Sequence, residues 1–165
     1  WNGIDVEDPQ VFLRPGQVAY VAQVPRVLSG TFGDNVRLDH PRTMDRAIED
    51  ARLESDIADA GGFDAMVGHR GVRLSGGQVQ RLAFARALAT DAELVLADDV
   101  SSALDARTEV ELWEALRARG TTVIAATSKQ AALRQADAVL VLLEGRLVAQ
   151  GPWRELAPQW QHLAG

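Results

Sequence analysis

Residues 74–105 read LSGGQVQRLAFARALATDAELVLADDVSSALD, and this stretch decides the fold. Ser75 and Gln78 have the spacing of a capping box, in which each side chain satisfies a free backbone N–H at a helix start. The Ala-, Leu- and Arg-rich run after Gln78 is a good helix former. Gly76 and Gly77 do not suit a helix interior, where each costs about 1 kcal/mol relative to alanine. An ordinary capped helix explains Ser75 and Gln78 but not the glycine pair, and no packing gain is expected from it. Bare backbone at the positive end of a helix lets N–H groups approach an anion closely. Further on, Leu94, Val95, Leu96 and Ala97 form an unbroken apolar run, the pattern of a strand buried on both faces. Asp98 and Asp99 follow at its C-terminal end, the edge where open α/β sheets bind ligands. Paired acids there suit a hard cation and its water, whereas a solvated acidic turn would more often hold one acid.

These motifs, in this order and spacing, resemble the nucleotide-binding domain of an ABC transporter. LSGGQ matches the signature, the strand ending at Asp98 the Walker B strand, and SSALD the D-loop. The resemblance spans about residues 1–156. It implies an α/β fold: a P-loop NTPase-like parallel sheet core, with a helical subdomain inserted at about residues 37–90. Residues 1–165 are then a single, partial ABC-type ATPase domain.

Composition sets bounds. The 165 residues suffice for one domain with a sizeable core. Apolar content of 47% and charged content of 24% are ordinary for a globular protein. A net charge of -6 offers no basic footprint for nucleic acid. No apolar run reaches membrane-spanning length, and the absence of cysteine excludes disulfides and thiolate metal sites. The only lysine, Lys129, follows Ser128 and no glycine, so G-x-x-x-x-G-K-[ST] is absent. In the family that phosphate loop lies upstream of the segment resembling residues 1–9. The chain is therefore expected to be the C-terminal portion of such a domain, with the N-terminal part missing.

Along the chain, residues 1–6 read as a strand remnant with a turn at Asn2-Gly3, and residues 18–22 as a strand ending at Gln23. Residues 43–60 read as one helix or two, with Met44, Ala47, Ile48, Ala51 and Ile57 near helical spacing. Asp105 is placed to cap a helix over residues 106–119, with Val110, Trp113 and Leu116 as its buried stripe and Leu112 beside it. A strand over residues 121–126, a short helix over 129–136 and two strands joined at Glu144-Gly145 follow. The strand–helix–strand order predicts a parallel sheet.

The resemblance also implies roles. Two such domains pack head to tail, with ATP between the phosphate loop of one and the signature helix of the other. Ser75, Gly76, Gly77 and Gln78 would then contact the partner's ATP. Asp98 and Gln23 would act through Mg2+, and Asp105 would close the D-loop at the nucleotide interface. The loop that begins at Val24 and reaches Asn35 (residues 24–35) would sense the membrane domain. Asp99 stands where the family has a glutamate general base, and Ser128 where it has a switch histidine. Aspartate is one methylene shorter, about 1.5 Å, and serine cannot carry a charge. Met66 and His69 stand where exporters have acids, and His69 is assigned no role. The chain thus reads as an ATPase domain coupled to transport at the cytoplasmic face of a membrane, suited to the weakly hydrolysing half of an asymmetric dimer. The alternatives are a non-transport ABC ATPase acting on nucleic acid, and a catalytically silent fragment that contributes only its signature. Against the former stand the negative charge and the transporter-like SGTFGDNV after Gln23.

Overall fold

A computed structural model describes residues 1–38, 44–68, 73–100 and 103–165. Its core is a three-stranded parallel sheet in the order β1 (Val18–Val21), β4 (Leu94–Asp98), β5 (Thr122–Ala126). Tyr20, Leu96 and Ile124 form one cross-strand row; Val21, Ala97 and Ala125 form the next, on the opposite face. The crossover from β4 to β5 runs through α6 (Ala106–Arg119), as the strand–helix–strand pattern requires. Gly120 ends that helix in the left-handed conformation, at φ 73°. The buried face of α6 differs slightly from the predicted stripe. Leu112, Trp113 and Leu116 are buried as expected, Glu109 and Ala115 are buried with them, and Val110 is half-exposed.

The helix after the signature, α5 (Gly76–Leu88), lies at the centre of the core. Leu82, Phe84 and Leu88 are at most 2% exposed, and Ala83, Ala85 and Ala87 are buried beside them. A helix buried on most of its circumference packs elements on several sides, and its alanines let them come close. α5 packs against α2 (Phe32–Arg37), α3 (Asp45–Asp50) and β1. Phe32 and Phe84, both fully buried, contribute roughly 1.5–3 kcal/mol each by removal from water. The periodic segment before the signature is two helices, α3 and α4 (Glu54–Ala60), separated at Arg52, whose φ is 55°. The start of that segment, Thr43, and the loop with His69 lie outside the described residues.

Two expectations are corrected. Residues 1–6 form a turn, not a strand, with Asn2 and Gly3 at positive φ. Trp1 stacks edge-on against Phe12 and donates from Nε1 to Glu93, so the segment is held by its aromatic ring and not by a ladder. Residues 24–35 are not all loop. Gly30–Thr31 forms β2, antiparallel to β3 (Met66–Val67), and α2 begins at Phe32. The cause is a Thr31–Asp34 capping box, a signal present in the sequence. β6 (Val139–Leu143) and β7 (Arg146–Gly151) form an antiparallel hairpin. Glu144 and Gly145 both have positive φ, the requirement of its two-residue turn. α7 (Gln130–Gln135) precedes this hairpin and α8 (Trp153–Trp160) follows it, and Trp153 is buried against it. α1 (Pro9–Phe12), capped by Asp8, precedes β1.

Candidate nucleotide site

β1 and β4 end side by side, so their C-terminal residues share one edge of the sheet. Gln23 follows β1, and its side-chain N–H donates to Asp99 Oδ2 at 3.1 Å. Asp98 ends β4 and accepts at 3.3 Å from the hydroxyl of Tyr20, one residue before the end of β1. Desolvation first, then the charge of Asp98 and its hydrogen bond, push the Tyr20 hydroxyl above its ordinary pKa. Asp99 turns the chain out of the strand at φ 43°, in the left-handed region. Its N–H donates to Ala126 O at 2.8 Å, which fixes the turn to the end of β5. Ser128 follows two residues later at the same edge. It is exposed, and its carbonyl accepts from the Gly165 N–H at 2.8 Å.

The donor set at this edge is hard: two carboxylates and, since Gln23 uses its N–H toward Asp99, an amide oxygen. That composition fits Mg2+, which takes one or two carboxylates and keeps several waters. Among the described residues no group of three or more His, Cys, Asp or Glu could hold a metal alone.

The second part of the candidate site is the tip of α5. Ser75 Oγ accepts from the Gln78 N–H at 3.3 Å, and Gln78 Oε1 accepts from the Ser75 N–H at 2.8 Å. The capping box leaves the N–H groups of Gly76 and Gly77 at the first two helical positions, the orphans of a helix start. Ser75 Oγ keeps its own proton to donate. The arrangement fits an anion such as a terminal phosphate.

Sequence reasoning missed what supports this tip. Asp56 of α4, 8% exposed, accepts from Gln78 Nε2 at 3.0 Å and takes a paired contact from Arg81 at 2.8 and 3.0 Å. With its amide nitrogen committed to Asp56, Gln78 presents its oxygen to the Ser75 N–H. Nothing in the local pattern marks Asp56, because its partners lie 22 and 25 residues away. The expectation that the glycines bring no packing gain is also corrected. A Cβ at Gly77 would stand 3.1 Å from Ala103 O, so this glycine admits the D-loop backbone. Gly76 is looser, 3.4 Å from Ala103 Cβ. The signature tip and the D-loop thus touch within one chain, while Ser101 and Ser102 lie outside the described residues.

Asp105 caps α6 as expected. Its Oδ1 accepts from the Arg107 and Thr108 N–H groups, and its Oδ2 from the Thr108 hydroxyl at 2.7 Å. Those hydrogen bonds, with that from the Thr108 backbone the largest, hold its carboxyl below the usual range.

The family model described as ABC transporter matches residues 1–102. The chain is 39% identical over 150 residues to the multidrug resistance-like ATP-binding protein MdlA of Escherichia coli, covering 87% of this chain and 25% of that protein. It is 35% identical over 173 residues to the ATP-dependent lipid A-core flippase of Aromatoleum aromaticum, covering 99% and 28%. A solved bacterial Atm1-family ABC exporter with ATP bound superposes with a TM-score of 0.80 at 31% identity, over 90% of this chain and 28% of that one. The chain thus spans just over a quarter, or less, of the length of these relatives.

Proposed function

The chain belongs to the ABC transporter family, and from that premise we propose that it is an ATP-binding module that couples ATP binding and hydrolysis to transport across a membrane. The observation that carries the reading is the joint geometry of the β1/β4 edge and the α5 tip. Gln23, Asp98 and Asp99 are assembled on one, and Ser75, Gly76, Gly77 and Gln78 on the other.

In this reading the two parts serve different nucleotides. Asp98 and the Gln23 amide oxygen would hold Mg2+ on this chain's own ATP. When bound, that ion supplies charge neutralisation at the phosphates. Asp99 is the group available as general base, positioned by the Gln23 N–H. The α5 tip would face the ATP of a second nucleotide-binding domain, related head to tail, and Asp105 would shape the D-loop at that interface. One helix terminus is worth roughly 0.3–2 kcal/mol toward an anion, so the tip completes a composite site but does not hold ATP alone. Residues 24–35 would receive a transmembrane domain, which places the chain at the cytoplasmic face of the membrane. Residues 37–90 would be the helical subdomain that carries the tip.

The asymmetry of the two parts supports a finer assignment. The tip keeps every element of its motif, whereas Asp99 has a shorter reach than glutamate and Ser128 lacks an imidazole. General bases need a contact of about 2.6–3.2 Å and contribute roughly 10²–10⁴-fold. A chain built this way donates a sound signature while its own site turns over slowly, as in an asymmetric heterodimer. The test is ATPase activity of the full-length dimer in lipid. Gly77→Asp is expected to reduce turnover at least tenfold, and Asp99→Asn to change it less than threefold. The reverse ranking would overturn the assignment.

A second reading, in which the 165-residue chain by itself contributes only the signature, is favoured by the bare sheet face around Tyr20 and Ile124, 61% and 59% exposed. Parallel sheets are otherwise covered on both sides.

A further inference from the structure

Gln80 lies two residues beyond the signature, inside α5, and is 3% exposed. Its Nε2 donates to the backbone carbonyl of Gln23 at 2.7 Å, across 57 residues of sequence. Its Oε1 is buried with no hydrogen-bond partner among the described residues. A glutamine held in this way is a poor choice for stability. One ordinary hydrogen bond contributes about 1 kcal/mol, and a buried acceptor left unsatisfied costs about as much or more. Its stability effect is near zero or negative, so its placement must be explained by what it holds.

It holds the residue that touches Asp99. Gln23 leaves β1 without a ladder partner at that point, and its side chain reaches Asp99 only if its backbone is fixed. The far end of the same segment is also fixed to α5. Arg86 donates to Asn35 O at 2.7 Å, to Asn35 Oδ1 at 3.1 Å and to Arg26 O at 3.0 Å. Asn35, fully buried, in turn bonds both the N–H and the carbonyl of Leu28 and the carbonyl of Thr31. The outer anchor is thus heavily bonded and self-satisfied, and the inner one is a single bond with an idle acceptor beside it.

We propose that Gln80 is a positioning residue for Gln23: its buried amide fixes the Gln23 carbonyl to α5 and thereby sets the Gln23–Asp99 contact in register with the signature tip. This rests on the reading that Gln23 and Asp99 face nucleotide. Gln80 touches no reacting group; it acts through Gln23.

The test uses the complete transporter in lipid nanodiscs, with vanadate-dependent photolabelling of this polypeptide by Mg·8-azido-ATP, which reads this chain's own site. Gln80→Met keeps the volume and removes both the bond and the idle acceptor. The maximal labelling rate is expected to fall about fivefold, the equivalent of one ordinary hydrogen bond. The half-saturating nucleotide concentration should stay within twofold, and the thermal midpoint should hold or rise. In a Gln23→Ala background, Gln80→Met should have no further effect. A maximal rate within twofold of wild type, a lowered midpoint tracking the loss, or an undiminished effect in the Gln23→Ala background would overturn the proposal. If Gln23→Ala labels like wild type, the functional reading itself fails, and the role of Gln80 with it.

Discussion

Gly76 and Gly77 are neighbours with different reasons to be glycine. A methyl group at Gly77 meets a backbone oxygen, which cannot swing aside, whereas at Gly76 it meets a methyl at ordinary contact distance. Gly76→Ala should therefore leave the thermal midpoint unchanged or raise it slightly through helix propensity. Gly77→Ala should lower it and displace the D-loop, and calorimetry of the two variants side by side reads the difference. Asp56 is the other decisive residue. Asp56→Ala strands the Arg81 guanidinium, only 16% exposed, without its carboxylate, and frees Gln78. Breaking such a pair from one side costs about 3 kcal/mol, and denaturant unfolding of the complete domain should show a loss of that order. The capping box was legible because its partners are three residues apart. The Asp56 and Gln80 contacts were not, because they join segments that only the tertiary fold brings together.

At the scale of elements, helix starts carry the local order. α2 and α6 each carry a bonded carboxylate at their start, Asp34 in the first turn of α2 and Asp105 at the cap of α6. Asp34 is held below the ordinary range first by the Thr31 backbone N–H, and Asp105 first by that of Thr108. A depressed carboxyl contributes stability above its unfolded value, about pH 4, and loses it as the pH falls through the lower folded value. Stability should therefore decline from about pH 4 downward. Asparagine caps well at Asp105 and keeps an acceptor oxygen at Asp34, the third residue of α2, but does not titrate. The Asp34→Asn, Asp105→Asn double variant should show a flatter stability profile between about pH 4 and pH 2 in urea titrations. Element type was readable wherever cap, period and breaker agreed, as in β4, α5 and α6. It failed at residues 1–6, where an apolar pattern is satisfied by an aromatic contact, and at residues 30–37, where the Thr31–Asp34 capping box starts a helix too short to show a period.

At the scale of the whole molecule, the described residues cover one face of β1 and β4 and leave the other bare. Ala19, Val21, Val95 and Ala97 are buried in the helical core, while the row of Tyr20, Leu96 and Ile124 faces outward and β5 has one unpaired edge among the described residues. An apolar face beside an open edge invites association. The 165-residue chain should elute from size exclusion as concentration-dependent oligomers, and Ile124→Lys should shift it toward monomer without loss of helical signal. The family membership of the chain was legible in three motifs, because each carries backbone or charge requirements that few other sequences meet. The central claim is that the glycine-bearing tip of α5 serves the nucleotide of a second domain. Electron cryo-microscopy of the complete protein with Mg·ATP, turnover being blocked, tests it directly. The account predicts the Gly76 and Gly77 N–H groups within about 3 Å of phosphate oxygens on an ATP whose adenosine end is held by the partner. A tip facing solvent, or contacting the nucleotide bound to its own chain, would contradict it.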